Sequence, residues 1–215
     1  SVSLRFSEFE LEKGSYMFIW AQDSHEFLGK FDHRSVKEWG GLATGLLSGS
    51  EVIVELHQPS DWGFSAPLEI DQIVHGYRSL LQHAEELSHA ERGPFGNSGA
   101  CNINVNCPEG ATWATESRSV AIIVNGGVSA CTGALINNTS NDGTPYFLTA
   151  NHCLGNPGNW VFYFNHESAT CNGNTGPTNQ SVSGASTLVQ NGGSDFALLE
   201  LSQTPPASFN VQYAG

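Results

Sequence analysis

Two side chains in this sequence invite chemistry before any fold is assigned. The first is His152, at the end of Pro145-Tyr146-Phe147-Leu148-Thr149-Ala150-Asn151-His152-Cys153, where an imidazole stands directly beside a cysteine. An imidazole so placed is a satisfied core group, one ligand of a metal, or a general base held for catalysis. A metal would need partners, and Cys153 and His166 are the nearby ones. Neighbouring residues on a strand point to opposite faces, so His152 and Cys153 are not expected to share an ion. Neither a metal nor any other cofactor is expected. A general base instead needs a carboxylate to fix its tautomer and stabilise the imidazolium. The second side chain, Asp195, can serve. It opens Phe196-Ala197-Leu198-Leu199-Glu200-Leu201, a run so apolar that an aspartate at its head is costly to bury unless its charge is paired. The competing reading is a solvent-facing turn residue after Gly192-Gly193, and the histidine upstream decides for a catalytic pair.

The elements that must position these groups are strands. After residue 99, six short apolar runs are separated by Asn- and Gly-rich turns: 119–125, 130–136, 145–150, 160–164, 185–190 and 195–201. That spacing, with no helix of consequence, predicts one small antiparallel β-barrel. Before residue 79 the pattern predicts a separate antiparallel sandwich. Leu4 and Phe6 alternate with polar residues, residues 15–21 are apolar on both faces, and Val52, Val54 and Leu56 share one side. In residues 79–91, Leu80, Leu81, Ala84 and Leu87 recur at helical spacing, and the breaker cluster "RGPFGNSG" follows. The chain therefore reads as a module at 1–78, a helical segment and linker at 79–98, and a barrel at 99–215. The fold class is all-β.

Charge and cysteine usage bound the function. The chain carries 21 Asp and Glu against 8 Lys and Arg, which argues against nucleic acid and anionic membranes as partners. No apolar run is long enough to span a membrane. All five cysteines (Cys101, Cys107, Cys131, Cys153 and Cys171) follow residue 100, in a spacing that fits no zinc pattern. They read as disulfides formed in an oxidising compartment, with one thiol left over. The sequence lacks an initiator Met and a signal-peptide pattern, and is expected to be part of a longer precursor.

Three blocks in order, "CNINVNCPEG", "ACTGALINNTSNDGTPYFLTANHC" and "SDFALLEL", resemble the bacterial lysyl endopeptidases, trypsin-like serine proteases of the chymotrypsin fold. The resemblance covers about residues 99–215. It implies that His152 is the general base and Asp195 its orienting carboxylate. It implies the disulfides Cys131–Cys153 and Cys107–Cys171, with Cys101 unpaired here because its partner belongs to a second barrel. That second barrel would also hold the nucleophilic serine in a GxSG-type turn, and no such turn follows Asp195 in this chain. Ser98, in "GNSGA", precedes the histidine and is rejected as the nucleophile. The implied partners are polypeptide substrates and the missing C-terminal barrel.

More weakly, "EVIVELHQP" followed by "LEIDQIVHGYR" looks like the β-rich region that precedes the catalytic domain in related secreted bacterial proteases. His75 and Tyr77 within it are expected to be packing residues. The leading expectation is thus the front portion of a secreted bacterial serine endopeptidase precursor, cleaving after Lys or after both Lys and Arg. The Arg92–Gly93 bond in the linker is the expected processing point, since exposed Gly- and Pro-rich segments are where proteolysis concentrates. The alternatives are a catalytically inactive protease-like binding protein and, for residues 1–78, an independent carbohydrate- or protein-binding module tested first at Trp39 and Trp62.

Overall fold

A computed structural model of the chain describes residues 1–59, 67–75, 102–126, 129–173 and 176–215, with residues 129 and 130 described by backbone only. The chain divides into two compact units, Ser1–Ser79 and Leu80–Gly215. Both are built from antiparallel strands, and the helical elements among the described residues are short 3-10 turns. The helical segment predicted for 79–91, the linker with Arg92, Gly93 and Ser98, and the residues Trp62, Tyr77 and Cys101 lie outside the described residues.

The first unit is a sandwich of two three-stranded sheets. One has the order β4 (Leu42–Ala43), β1 (Val2–Phe9), β6 (Leu68–His75); the other β3 (Phe27–Asp32), β2 (Tyr16–Ala21), β5 (Val52–His57). Period-2 alternation explains the core. Val2, Leu4 and Phe6 of β1 and Met17, Ile19 and Ala21 of β2 are buried together, and Phe9 meets Phe31 of the other sheet edge to face at 6.3 Å. The opposite face of β2 carries Tyr16, Phe18 and Trp20, which is why the run is apolar on both sides. Val52 and Leu56 of β5 pack against this core, and Val54, on the same side of the strand, is 36% exposed. One expectation fails here. His75, expected to pack, is exposed at the end of edge strand β6. Trp39 is indeed exposed, at 43%.

The second unit is one seven-stranded sheet in the order β11 (Ser181–Ser183), β10 (Trp160–Phe164), β7 (Val120–Asn125), β8 (Ser129–Ile136), β9 (Tyr146–Thr149), β13 (Phe196–Leu201), β12 (Ala185–Asn191). Its two outermost strands, β11 and β12, are consecutive in sequence with only Gly184 between them. One residue cannot span a flat seven-stranded sheet, whose strands stand about 4.8 Å apart. The sheet must curl until its edges meet. Gly184 is that corner, with φ of 80°, donating to Trp160 O at 2.8 Å on one side and accepting from Ser202 N at 2.9 Å on the other. A positive φ there favours glycine. Inside the curl, Leu135, Phe147, Phe162, Phe164 and Leu199 are fully buried around Trp160.

Candidate active site

The site is held by three neighbouring strands. Thr149, at the end of β9, pairs with Gly133 of β8 on one side and Ala197 of β13 on the other. This row sets both candidate residues. His152 lies three residues beyond Thr149, and Asp195 two residues before Ala197. Gly133 is required by space, since a Cβ there would overlap the Phe147 ring and Leu148 O. The Thr149 hydroxyl donates to Thr132 O at 2.8 Å, locking the end of β9 to β8.

The strand stops before the histidine. Residues Asn151–Cys153 form a 3-10 turn, in which Cys153 N donates to Ala150 O and Leu154 N to Asn151 O. This changes the basis on which a metal was set aside. On a turn, His152 and Cys153 do not diverge, and the ligand atoms of Cys131, His152 and Cys153 lie within 4.8 Å of one another. The two sulfurs, however, are joined as the Cys131–Cys153 disulfide, with a Cα–Cα distance of 6.2 Å. An oxidised sulfur pair has no thiolate to offer an ion. His166 stands elsewhere, its Nδ1 donating to Pro177 O at 3.0 Å.

Asp195 approaches from the β12–β13 hairpin. Asn191 Oδ1 accepts from both the backbone N and the hydroxyl of Ser194, at 3.0 and 3.1 Å, a side-chain cap across three residues that shapes the loop. Asp195 itself has φ of 52°, a conformation that aspartate tolerates better than most residues. Its carboxylate then grips the histidine twice: Oδ1 accepts from His152 N at 2.9 Å, and Oδ2 meets Nδ1 at 2.7 Å. The side-chain bond to His152, followed by the backbone bond, holds the Asp195 carboxyl below the usual carboxylate range. An ionised carboxylate has no proton to give, so Nδ1 carries it and Nε2 is left as the acceptor. The imidazole is 70% and the carboxylate 50% exposed, so the pair faces outward from the curled sheet.

The structure therefore brings His152, Asp195, Cys131 and Cys153 into one site. The second disulfide, Cys107–Cys171, lies apart, beside a cavity of about 750 Å³ that includes Asn106, Arg118, Glu167, Gln180 and Phe209 in its lining. None of the residues around His152 lines that cavity. Sequence reasoning missed Thr132, Gly133 and Asn191. The first two sit in the "CTG" block, and Asn191 followed by Gly192-Gly193 was a readable turn signal.

Residues 95–215 match the lysyl endopeptidase C-terminal domain. The chain belongs to the lysyl endopeptidase family. A relative, the lysyl endopeptidase of Pseudomonas aeruginosa, is 31% identical over 189 residues. That match covers 78% of this chain and 38% of the relative's own length. Protease-family membership, the disulfides and the curled β-sheet thus agree with one another. The two disulfides also fit an oxidising, extracellular setting. Among the described residues, no helix is long and apolar enough to cross a membrane.

Proposed function

We propose that this chain is the front portion of a secreted serine endopeptidase precursor that hydrolyses peptide bonds after lysine. One observation carries the reading: the carboxylate of Asp195 fixes His152 through both its backbone N–H and its Nδ1, leaving Nε2 free of the carboxylate. That is the arrangement a general base needs to take a proton from a nucleophile and return it to a leaving amine. In this reading His152 is the base and Asp195 its orienting partner. The nucleophilic serine comes from a part of the protein beyond these residues, which span 38% of the relative's length. Residues 99–215 are the first of two catalytic barrels, and Cys101 bonds to a cysteine of the second. Residues 1–78 form a pro-region or accessory module, released at Arg92–Gly93 by a protease that accepts arginine. The substrates are polypeptides, and neither nucleic acid nor membrane takes part.

The test is His152→Ala in the full-length protein. Turnover of a lysyl peptide should fall by several orders of magnitude, to the residual ~10³–10⁴-fold over water that remains when a triad member is lost. Wild-type turnover in that variant would remove His152 from the mechanism. A well-folded full-length protein that hydrolyses no peptide would support the binding-protein reading instead.

A further inference from the structure

Lysine is distributed unevenly between the two units. The chain has three, Lys13, Lys30 and Lys37, all in the first unit; from Leu80 to Gly215 there is none. Lysine is among the commonest residues of soluble domains, so a lysine-free stretch of this length calls for a reason. A general avoidance of charge does not supply one, because residues 99–215 keep six acids and Arg118. For an enzyme that cuts after lysine, the distribution has a direct meaning. The second unit offers such an enzyme no bond to cut, and the first offers three.

The structure ranks those three. An endopeptidase needs its target residue at the surface, in a segment able to adopt an extended conformation in the cleft, with the side chain free to enter a pocket. Lys37 fails that test, since its side chain is largely desolvated and lies over the Trp39 ring at 5.5 Å. Lys30 is exposed at an irregularity of edge strand β3, but the pairs Phe31–Met17 and Leu28–Ile19 hold it on both sides and its ammonium sits 4.3 Å over the Tyr16 ring. Lys13 differs. It is exposed in the connection between β1 and β2, next to Gly14 at φ of 106°, and one local bond, Ser15 N to Glu12 O, closes its turn. Opening one turn costs far less than peeling a strand or unpacking a core.

We propose that the first unit is itself a substrate of this peptidase, opened at the Lys13–Gly14 bond, and that the second unit survives its own activity because it contains no lysine. Hydrolysis there breaks the Lys13 C–Gly14 N bond. Water supplies the hydroxyl to the Lys13 carboxyl group and the proton to the Gly14 amine. Opening at this point separates the whole of β1 from β2, frees the core of the sandwich and loosens the segments that hold Lys30 and Lys37 for second and third cuts. Degradation is then ordered, and it stops after Lys37, leaving residues 38–215 on one polypeptide. The proposal rests on the lysine-specific peptidase reading above.

The experiment uses the full-length precursor carrying His152→Ala as substrate and a trace of active full-length enzyme, with mass spectrometry of the products over time. A lysyl and an arginyl peptide are assayed in parallel. The expected result is a first product ending at Lys13, later products ending at Lys30 and Lys37, and an intact 38–215 segment throughout. Lys13→Gln should slow loss of the first unit by at least 10-fold. The proposal is overturned, with the peptidase reading intact, if the lysyl peptide is turned over while the first unit persists or opens first elsewhere. Early cutting after Arg34, whose side chain is 78% exposed, or after Arg118 would establish a preference broader than lysine and also overturn it. Failure to turn over the lysyl peptide would sink both.

Discussion

Removing the Cys131–Cys153 bond, with both residues replaced by Ala in the full-length protein, should cost more activity than its effect on stability suggests. The bond closes a loop with a sequence separation of 22 and anchors the turn that carries His152 to β8. In the chain-entropy picture a loop of that size contributes about 3 kcal/mol. With a urea slope of ~1–3 kcal/mol per molar, the unfolding midpoint should fall by about 1–3 M. Without the bond, the turn keeps its two backbone hydrogen bonds and the Asp195 contacts. The imidazole is therefore displaced rather than lost, and a misplacement of about 1 Å at such a group costs ~10²-fold in kcat. The informative comparison is Cys107→Ala with Cys171→Ala. That bond closes a longer loop, with a separation of 64, and should contribute about 4 kcal/mol. It touches nothing around His152. Urea unfolding and kcat on a lysyl peptide, measured well below each midpoint, should rank the two variants in opposite orders. If the Cys107–Cys171 variant loses as much kcat, or the Cys131–Cys153 variant loses none, the disulfide does not position the base.

Other outcomes follow from single groups. Asp195→Asn should lower kcat by about 10⁴-fold while leaving the fold intact, because an amide can hold the wrong imidazole tautomer; kinetics paired with circular dichroism check both halves. Gly133→Ala should destabilise the second unit by about 1–3 kcal/mol in urea, since the added methyl meets a backbone carbonyl and a packed ring. Burial lowers the Lys37 amine to about 7, so between there and its unfolded value near ~10.4 the unfolded chain binds the extra proton. Stability of the first unit should therefore rise across that window, by about 5 kcal/mol in all, and Lys37→Met should flatten the rise in unfolding curves taken at successive pH values. Non-reducing peptide mapping of the full-length protein should find Cys101 linked to a cysteine beyond residue 215, and a free thiol there would refute the second-barrel assignment.

What the sequence disclosed tracks how strongly each element is patterned. β10, Trp160 to Phe164, is five apolar residues buried on both faces, and β1 alternates cleanly, so both were legible. β11 and β4 were not. A three-residue strand with Val182 as its one apolar member, and a two-residue strand at 42–43, carry no period to detect. β3 was hidden because Gly29 interrupts it and its outward face is held by contacts with Phe18 and Tyr16 rather than by its own pattern. At the site, the residue types of His152 and Asp195 pointed to a pair, but their distance could not be read, because it depends on β9 and β13 being neighbours although they are far apart in sequence. The turn at Asn151–Cys153 was mistaken for a strand end because nothing in "ANHC" breaks a strand. Only the hydrogen bonds of the folded chain distinguish the two.

The row Gly133–Thr149–Ala197 has a consequence for how such proteins can change over time. It fixes the pair by counting: three residues on from Thr149 to His152, two back from Ala197 to Asp195. Insertions in the turn after β8, in the long connection between β10 and β11, or between Gly192 and the end of β12 leave both counts untouched. A single deletion between Ala150 and His152 removes a residue of the 3-10 turn, and one between Asp195 and Ala197 removes the first residue of β13, so either pulls one partner away from the other. Length variation among descendants of this chain should therefore gather in the loops, with those two short intervals keeping their length. A designer could carry the pair into another curled antiparallel sheet by copying three adjacent strand ends, without the rest of the unit.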